Sequence, residues 1–122
     1  MATNITAITD TGNASKNKGP AQFQGLFKAA IPFKASLDDD TLAAQVAGQC
    51  DITVTGAELG DFVLIAPGAD NGAQLVYAQV TAANVVTVTT FNVEGTDADT
   101  SFAGNPTFYG LVLKRGSVWS DV

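Results

Sequence analysis

Leu75-Val76-Tyr77-Ala78-Gln79-Val80-Thr81 and Val85-Val86-Thr87-Val88-Thr89-Thr90-Phe91 are two runs of β-branched and aromatic residues, joined by Ala82-Ala83-Asn84. Such runs favour extended backbone, and an Asn at the end of a three-residue connection accepts the left-handed conformation that a bulged hairpin needs. The spacing therefore predicts an antiparallel hairpin. Upstream, Cys50, Ile52 and Val54 alternate with Asp51, Thr53 and Thr55, the period of a half-buried strand, with Cys50 read as a buried thiol. Asp61-Phe62-Val63-Leu64-Ile65-Ala66 is apolar at every position after its Asp, which predicts a central strand covered on both faces. Downstream, Thr107 to Leu113 reads as a final buried strand.

Five such strands, separated by Gly/Asn/Asp/Pro turns, predict a mainly β chain: a small antiparallel β-sandwich or barrel. Leu26 to Phe33 adds a short apolar stretch in which Pro32 forbids a central position, so an edge strand or extended segment is expected there. Between the two, Ser36 to Gly48 carries the signals of one short helix near 37–47. Ser36 stands at its cap, Asp38, Asp39 and Asp40 in its first turn and Gly48 at its stop. A calcium loop is the other reading of the Asp triplet, but neither register supplies the Gly and Glu an EF-hand requires.

Residues 1–25 are rich in Asn, Thr, Ser, Gly and Lys, with Asn17-Lys18-Gly19-Pro20 breaking any regular element. The division expected is an extended N-terminal arm over 1–25 and a single β-domain over 26–122. Two readings of the arm stay open: a frayed terminus, or a segment that orders across a neighbouring subunit. Its apolar points, Ile5, Ile8 and Phe23, with Phe27 just beyond, have the most to gain from docking. For Phe27 the domain's own core is an equal alternative. Trp119, near the C-terminus, is the other candidate interface residue, since an indole is wasted unless it packs on something.

The composition excludes much chemistry. With no His in 122 residues, no Ser-His-Asp triad, Cys-His dyad or His-bearing zinc site can be built from one chain. A single Cys rules out an intrachain disulfide. Twelve acidic against six basic residues give a net charge of −6, without the basic patch that nucleic acid or an anionic membrane selects. Charged residues are only 15 % of the chain, below the ~25 % of ordinary domains, so the surface is largely neutral Thr, Asn, Gln, Ser and Gly. No glycine-rich phosphate loop is present, the longest apolar run is far short of a membrane span, and Met1-Ala2-Thr3 opens no secretion signal. The expectation is a chain made in the cytoplasm and kept or assembled there, with no catalytic residues, cofactor or metal. Asp97 and Asp99 offer a weak calcium alternative. An enzyme working through Asp61, Asp97 or Asp99 would need a concave pocket and a carboxyl of raised pKa.

One further pattern stands out. Ile52-Thr53-Val54-Thr55-Gly56-Ala57-Glu58-Leu59-Gly60-Asp61-Phe62-Val63-Leu64-Ile65-Ala66-Pro67 is a strand, a Gly-x-x-x-Gly-Asp turn and an apolar strand ending in Pro. After it come the hairpin and Phe91-Asn92-Val93. Over residues 49–114 this resembles small structural proteins of tailed bacteriophages, among them capsid decoration (cement) proteins and head-fibre or tail-spike modules. The resemblance implies a non-enzymatic virion protein that stabilises a head by bridging capsomers, with the major capsid protein and its own copies, as a homotrimer, for partners. The acidic balance favours the outer capsid surface over the DNA-filled lumen. A head-fibre or tail module binding a host-surface glycan is the alternative, and it requires Tyr77, Phe102, Tyr109 and Trp119 to gather on one exposed face.

Overall fold

The computed structural model describes residues 25–37 and 42–121, with backbone alone for 120 and 121. Six strands form two antiparallel three-stranded sheets: β1 (Phe27–Ser36), β2 (Ala47–Thr53), β3 (Phe62–Pro67), β4 (Gln74–Ala82), β5 (Val85–Asn92) and β6 (Thr107–Arg115). The first sheet has the order β1-β6-β3 and the second β2-β5-β4, and a short 3-10 helix, Ser117–Asp121, follows β6. The fold is the small β-sandwich of the two architectures expected. Only β4 and β5 are consecutive neighbours; the other connections cross between sheets.

The β4–β5 hairpin is the expected one. Asn84 has φ 65°, the ladder shifts between Val80 and Ala82, and the Asn84 side-chain oxygen accepts from Gly56 N at 2.8 Å. Pro32 lies on the edge strand β1, where its missing N–H costs no ladder bond.

The inner faces meet in two adjoining clusters. Val80 and Val86 of the second sheet, with Val54 and Ala57, pack on Val112, Ile31, Phe33 and Val63. Val88 packs with Phe108 and Phe102, the latter two rings edge-on at 5.0 Å, under Leu37. At the cross-strand pair Phe33↔Gly110 the ring occupies the space a Cβ would need, so only Gly fits there.

Three expectations need correction. The helix near 37–47 is absent from its described part: Leu42 bridges to Asp99, Gln45 has φ 58°, and β2 already begins at Ala47. Its hydrogen bonds go elsewhere, Leu42 N to Asp99 O at 3.0 Å and Gln45 N to Asn92 O at 3.0 Å, so no i−4 ladder remains to be made. Asp38, Asp39 and Asp40 lie outside the described residues. Cys50 is exposed rather than buried, because β2 is an edge strand and its thiol stands at the lip of a small cleft with Leu37, Val88 and Phe108. β3, expected at a sheet centre, is an edge; the central strand is β6.

The Gly-x-x-x-Gly-Asp turn is locked by a lysine from that central strand. Gly56 and Gly60 both take positive φ, 98° and 91°. Lys114 Nζ reaches in from β6 to donate to Gly56 O at 2.7 Å, Asp61 Oδ2 at 2.8 Å and Glu58 Oε1 at 3.1 Å. The hydrogen bond to Asp61, reinforced by Glu58, holds the Lys114 ammonium above its ordinary pKa despite burial. Burial alone would push Asp61 up, but Lys114 and the N–H groups of Glu58 and Arg115 outweigh it and hold the carboxyl below 3.8. The pair therefore supports the fold between those limits: Asp61's share is lost as pH falls through its lowered pKa, and Lys114's as pH rises through its raised one. Lys114→Met should cost about 3–5 kcal/mol in urea unfolding, since Asp61 is left buried and uncompensated. Asp61→Asn placed in that background should recover part of the loss.

Candidate interaction face

Register places every second residue of the first sheet outward. At the two ends these include Ser36, Thr107 and Arg115; over the three rows between they are Ala30, Pro32 and Lys34 from β1, Leu113, Leu111 and Tyr109 from β6, and Phe62, Leu64 and Ala66 from β3. Eight of the nine positions in those three rows are uncharged and carry no hydrogen-bonding group except the tyrosine hydroxyl. Leu64 is 58 % exposed and Tyr109 55 %. Shallow depressions flank Tyr109 and Gly110, one toward Leu64 and Leu111, the other toward Pro32 and Lys34. At ~4.8 Å between strands and ~3.3 Å per residue the face covers roughly 300 Å². That is the size of the largest apolar patch on an ordinary monomer, a patch that often serves a function.

The outer face of the second sheet differs. Thr87 and Thr89 occupy its centre, with Asp51, Gln49, Gln79 and Tyr77 beside them. Thr87 Oγ1 donates to Asp51 Oδ1 at 2.7 Å and lies 2.7 Å from Thr81 Oγ1. The second sheet thus holds on its outer side a hydrogen-bonded threonine row, Thr87 and Thr89 being themselves buried, while the first presents a largely apolar surface.

Two of the five candidate interface residues meet at one end of the apolar face. Phe62 contacts the Phe27 ring edge-on at 5.8 Å and the Trp119 ring at 5.3 Å. Trp119 Nε1 donates to Leu26 O at 2.9 Å, and Gly116 N donates to the same oxygen at 2.7 Å. The 3-10 helix thereby ties the chain after β6 to the chain before β1. Trp119 does dock, on its own domain, while remaining 39 % exposed as an extension of the face. Ile5, Ile8 and Phe23 lie outside the described residues. Sequence reasoning missed Leu64 and Leu111, and singled out Tyr109 only for the glycan alternative, because an apolar strand with one face uncovered reads the same as one covered on both.

The aromatic cluster of the glycan reading is not assembled. Phe102 is fully buried, Tyr77 faces outward from the second sheet, Tyr109 faces outward from the first, and Trp119 stands in the 3-10 helix. Two of the three acidic candidates, Asp61 and Asp99, hold loops through their carboxylates. Asp99 accepts from Ser101 N at 2.9 Å, Gln74 Nε2 at 3.0 Å and Ala73 N at 3.1 Å. Led by the Ser101 N–H, these bonds lower its pKa to about 2. Asp61 and Asp99 are thus both shifted away from the raised value that acid catalysis by a carboxyl needs. Among the described residues no three His, Cys, Asp or Glu side chains gather as a metal site would require, and no helix is long and apolar enough to cross a membrane.

Comparison of the chain with protein-family models, with curated proteins and with solved structures returns no match.

Because Asp99 is more acidic folded than unfolded, its contribution is present above pH 3.8 and disappears as pH falls through about 2. Asp99→Asn should flatten that acid limb in thermal melts taken from pH 5 to 2, and leave its slope near neutrality unchanged.

Proposed function

We propose that this chain is a non-enzymatic virion protein, a capsid decoration (cement) protein that adds to the outer surface of a phage head and stabilises it by bridging its subunits. The observation that carries the reading is the uncovered apolar face of the β1-β6-β3 sheet, continued by Phe27 and Trp119. A protein working by contact needs such surface and no nucleophile, metal or base. The Gly-x-x-x-Gly-Asp turn, locked by Lys114, supports the same reading, since the phage resemblance rests on that turn and on the strands beside it. The net charge of −6 suits the outside of a shell packed with DNA. The partners in this reading are the major capsid protein and copies of the chain itself, as a homotrimer, with residues 1–25 as an arm reaching a neighbour.

The test is to mix purified chain with heads prepared without it, sediment the heads, and follow their melting. Co-sedimentation at saturable stoichiometry with a raised melting temperature is the expected result. A chain that stays in the supernatant and leaves the melting unchanged overturns the reading. Deleting residues 1–22 should weaken attachment while the β-domain's own melting holds; equal attachment would remove the arm from the mechanism.

A further inference from the structure

Charge is divided between the sheets as sharply as polarity. The strands of the first sheet carry Lys28, Lys34, Lys114 and Arg115 and no carboxylate. Those of the second carry Asp51 and no base. Lys114 is consumed inside the domain, so Lys28, Lys34 and Arg115 remain exposed as a cationic rim to the apolar face. Among the described residues, ion pairs form only at Lys114.

The second sheet has a smaller apolar patch toward the β3–β4 connection. Leu75 and Phe91 stand side by side on its outer face, with Val93 beyond them and Tyr77 on the next row. Leu75 is 59 % exposed and Val93 48 %. The charges near this patch are acidic: Asp51 shares the face, Glu94 directly follows Val93, and Asp97 lies in the same exposed loop.

We propose that the apolar face of the first sheet is covered by a second copy of this chain, which offers the acid-edged Leu75–Val93 patch of its own second sheet. The contact sets aliphatic surface against aliphatic surface and Lys34 with its cationic neighbours against Asp51, Glu94 and Asp97. Charge disfavours the other occupants of this chain. Two first sheets pressed face to face would oppose lysine to lysine with no carboxylate on any of the strands between them. Residues 1–24 hold two lysines and one aspartate, and bring positive charge to a positive rim. Because the two patches are different surfaces, the contact is heterologous and repeats from copy to copy, as a closed ring or a stack. The inference deepens the self-association in the reading above, and its test uses no shells.

Leu64→Glu disables the first surface and Leu75→Glu the second, each at an exposed position. By light scattering the native chain should exceed the mass of one copy at high concentration and lose mass as salt is raised. Each variant alone should be a monomer, and an equimolar mixture should recover a dimer, since each variant supplies the surface its partner lacks. Lys34→Glu serves in place of Leu64→Glu if circular dichroism shows the latter misfolded, and a pairing of like faces would strengthen with this substitution rather than weaken. A native chain that is monomeric throughout, a mixture that stays monomeric, or variants that associate as the native chain does would overturn the contact. A monomer that still binds shells sinks only this contact; an oligomer passing every arm but ignoring shells sinks only the decoration reading.

Discussion

Everything in this domain leans on the packing of two central strands, β5 and β6, each flanked on both sides within its own sheet and pressed against the other sheet's inner face. Val86, Val88, Phe108 and Val112, which they supply, are at most 1 % exposed. With only 122 residues and no disulfide within the chain, this layer is the main source of burial. The edge strands are positioned by it: β1 and β3 take their register from β6, β2 and β4 from β5.

A two-layer core leaves the two open ends to be closed by polar groups. At one end Lys114 gathers Gly56, Glu58 and Asp61 around a single ammonium. At the other, the fully buried Asn92 amide donates to Leu42 O at 2.9 Å and Asp97 O at 3.0 Å, while its oxygen accepts from Glu94 N at 2.9 Å. Asp99 binds the neighbouring loop through three donors. Acidic residues that look like solvated turn formers are therefore structural ties, and two of them titrate below their ordinary range for that reason. With the ends closed this way, the outer faces are free to differ, one threonine-rich and one aliphatic.

The parts of the fold legible beforehand are those written in local backbone chemistry. Asn84 announced its hairpin, Pro32 its edge strand, and the glycines at 56 and 60 their turn, because each demands a conformation few other residues accept. What depended on distant partners was not legible. Ser36 to Gly48 has the composition of a helix, yet Asp99 and Asn92, about fifty residues away, claim its backbone groups. Nothing local marks Lys114, just past the apolar run Thr107 to Leu113, as a buried lock. Of the face, Phe27 and Trp119 were visible as isolated aromatics, while Leu64 and Leu111 vanished into runs whose alternation is hidden when both sides are apolar.

The strand order also sets when each half of the domain can exist during synthesis on the ribosome. The second sheet is complete once residue 92 has emerged, for β2, β4 and β5 all lie between 47 and 92. The first sheet cannot start to pair until its central strand arrives at 107–115, so β1, made about eighty residues earlier, waits for it. Only then does Trp119 find Leu26 and join the two ends. The aliphatic face is consequently the last surface to take shape, and until then the inner side of the second sheet, with Val86 and Val88, waits uncovered for the strands that will bury it.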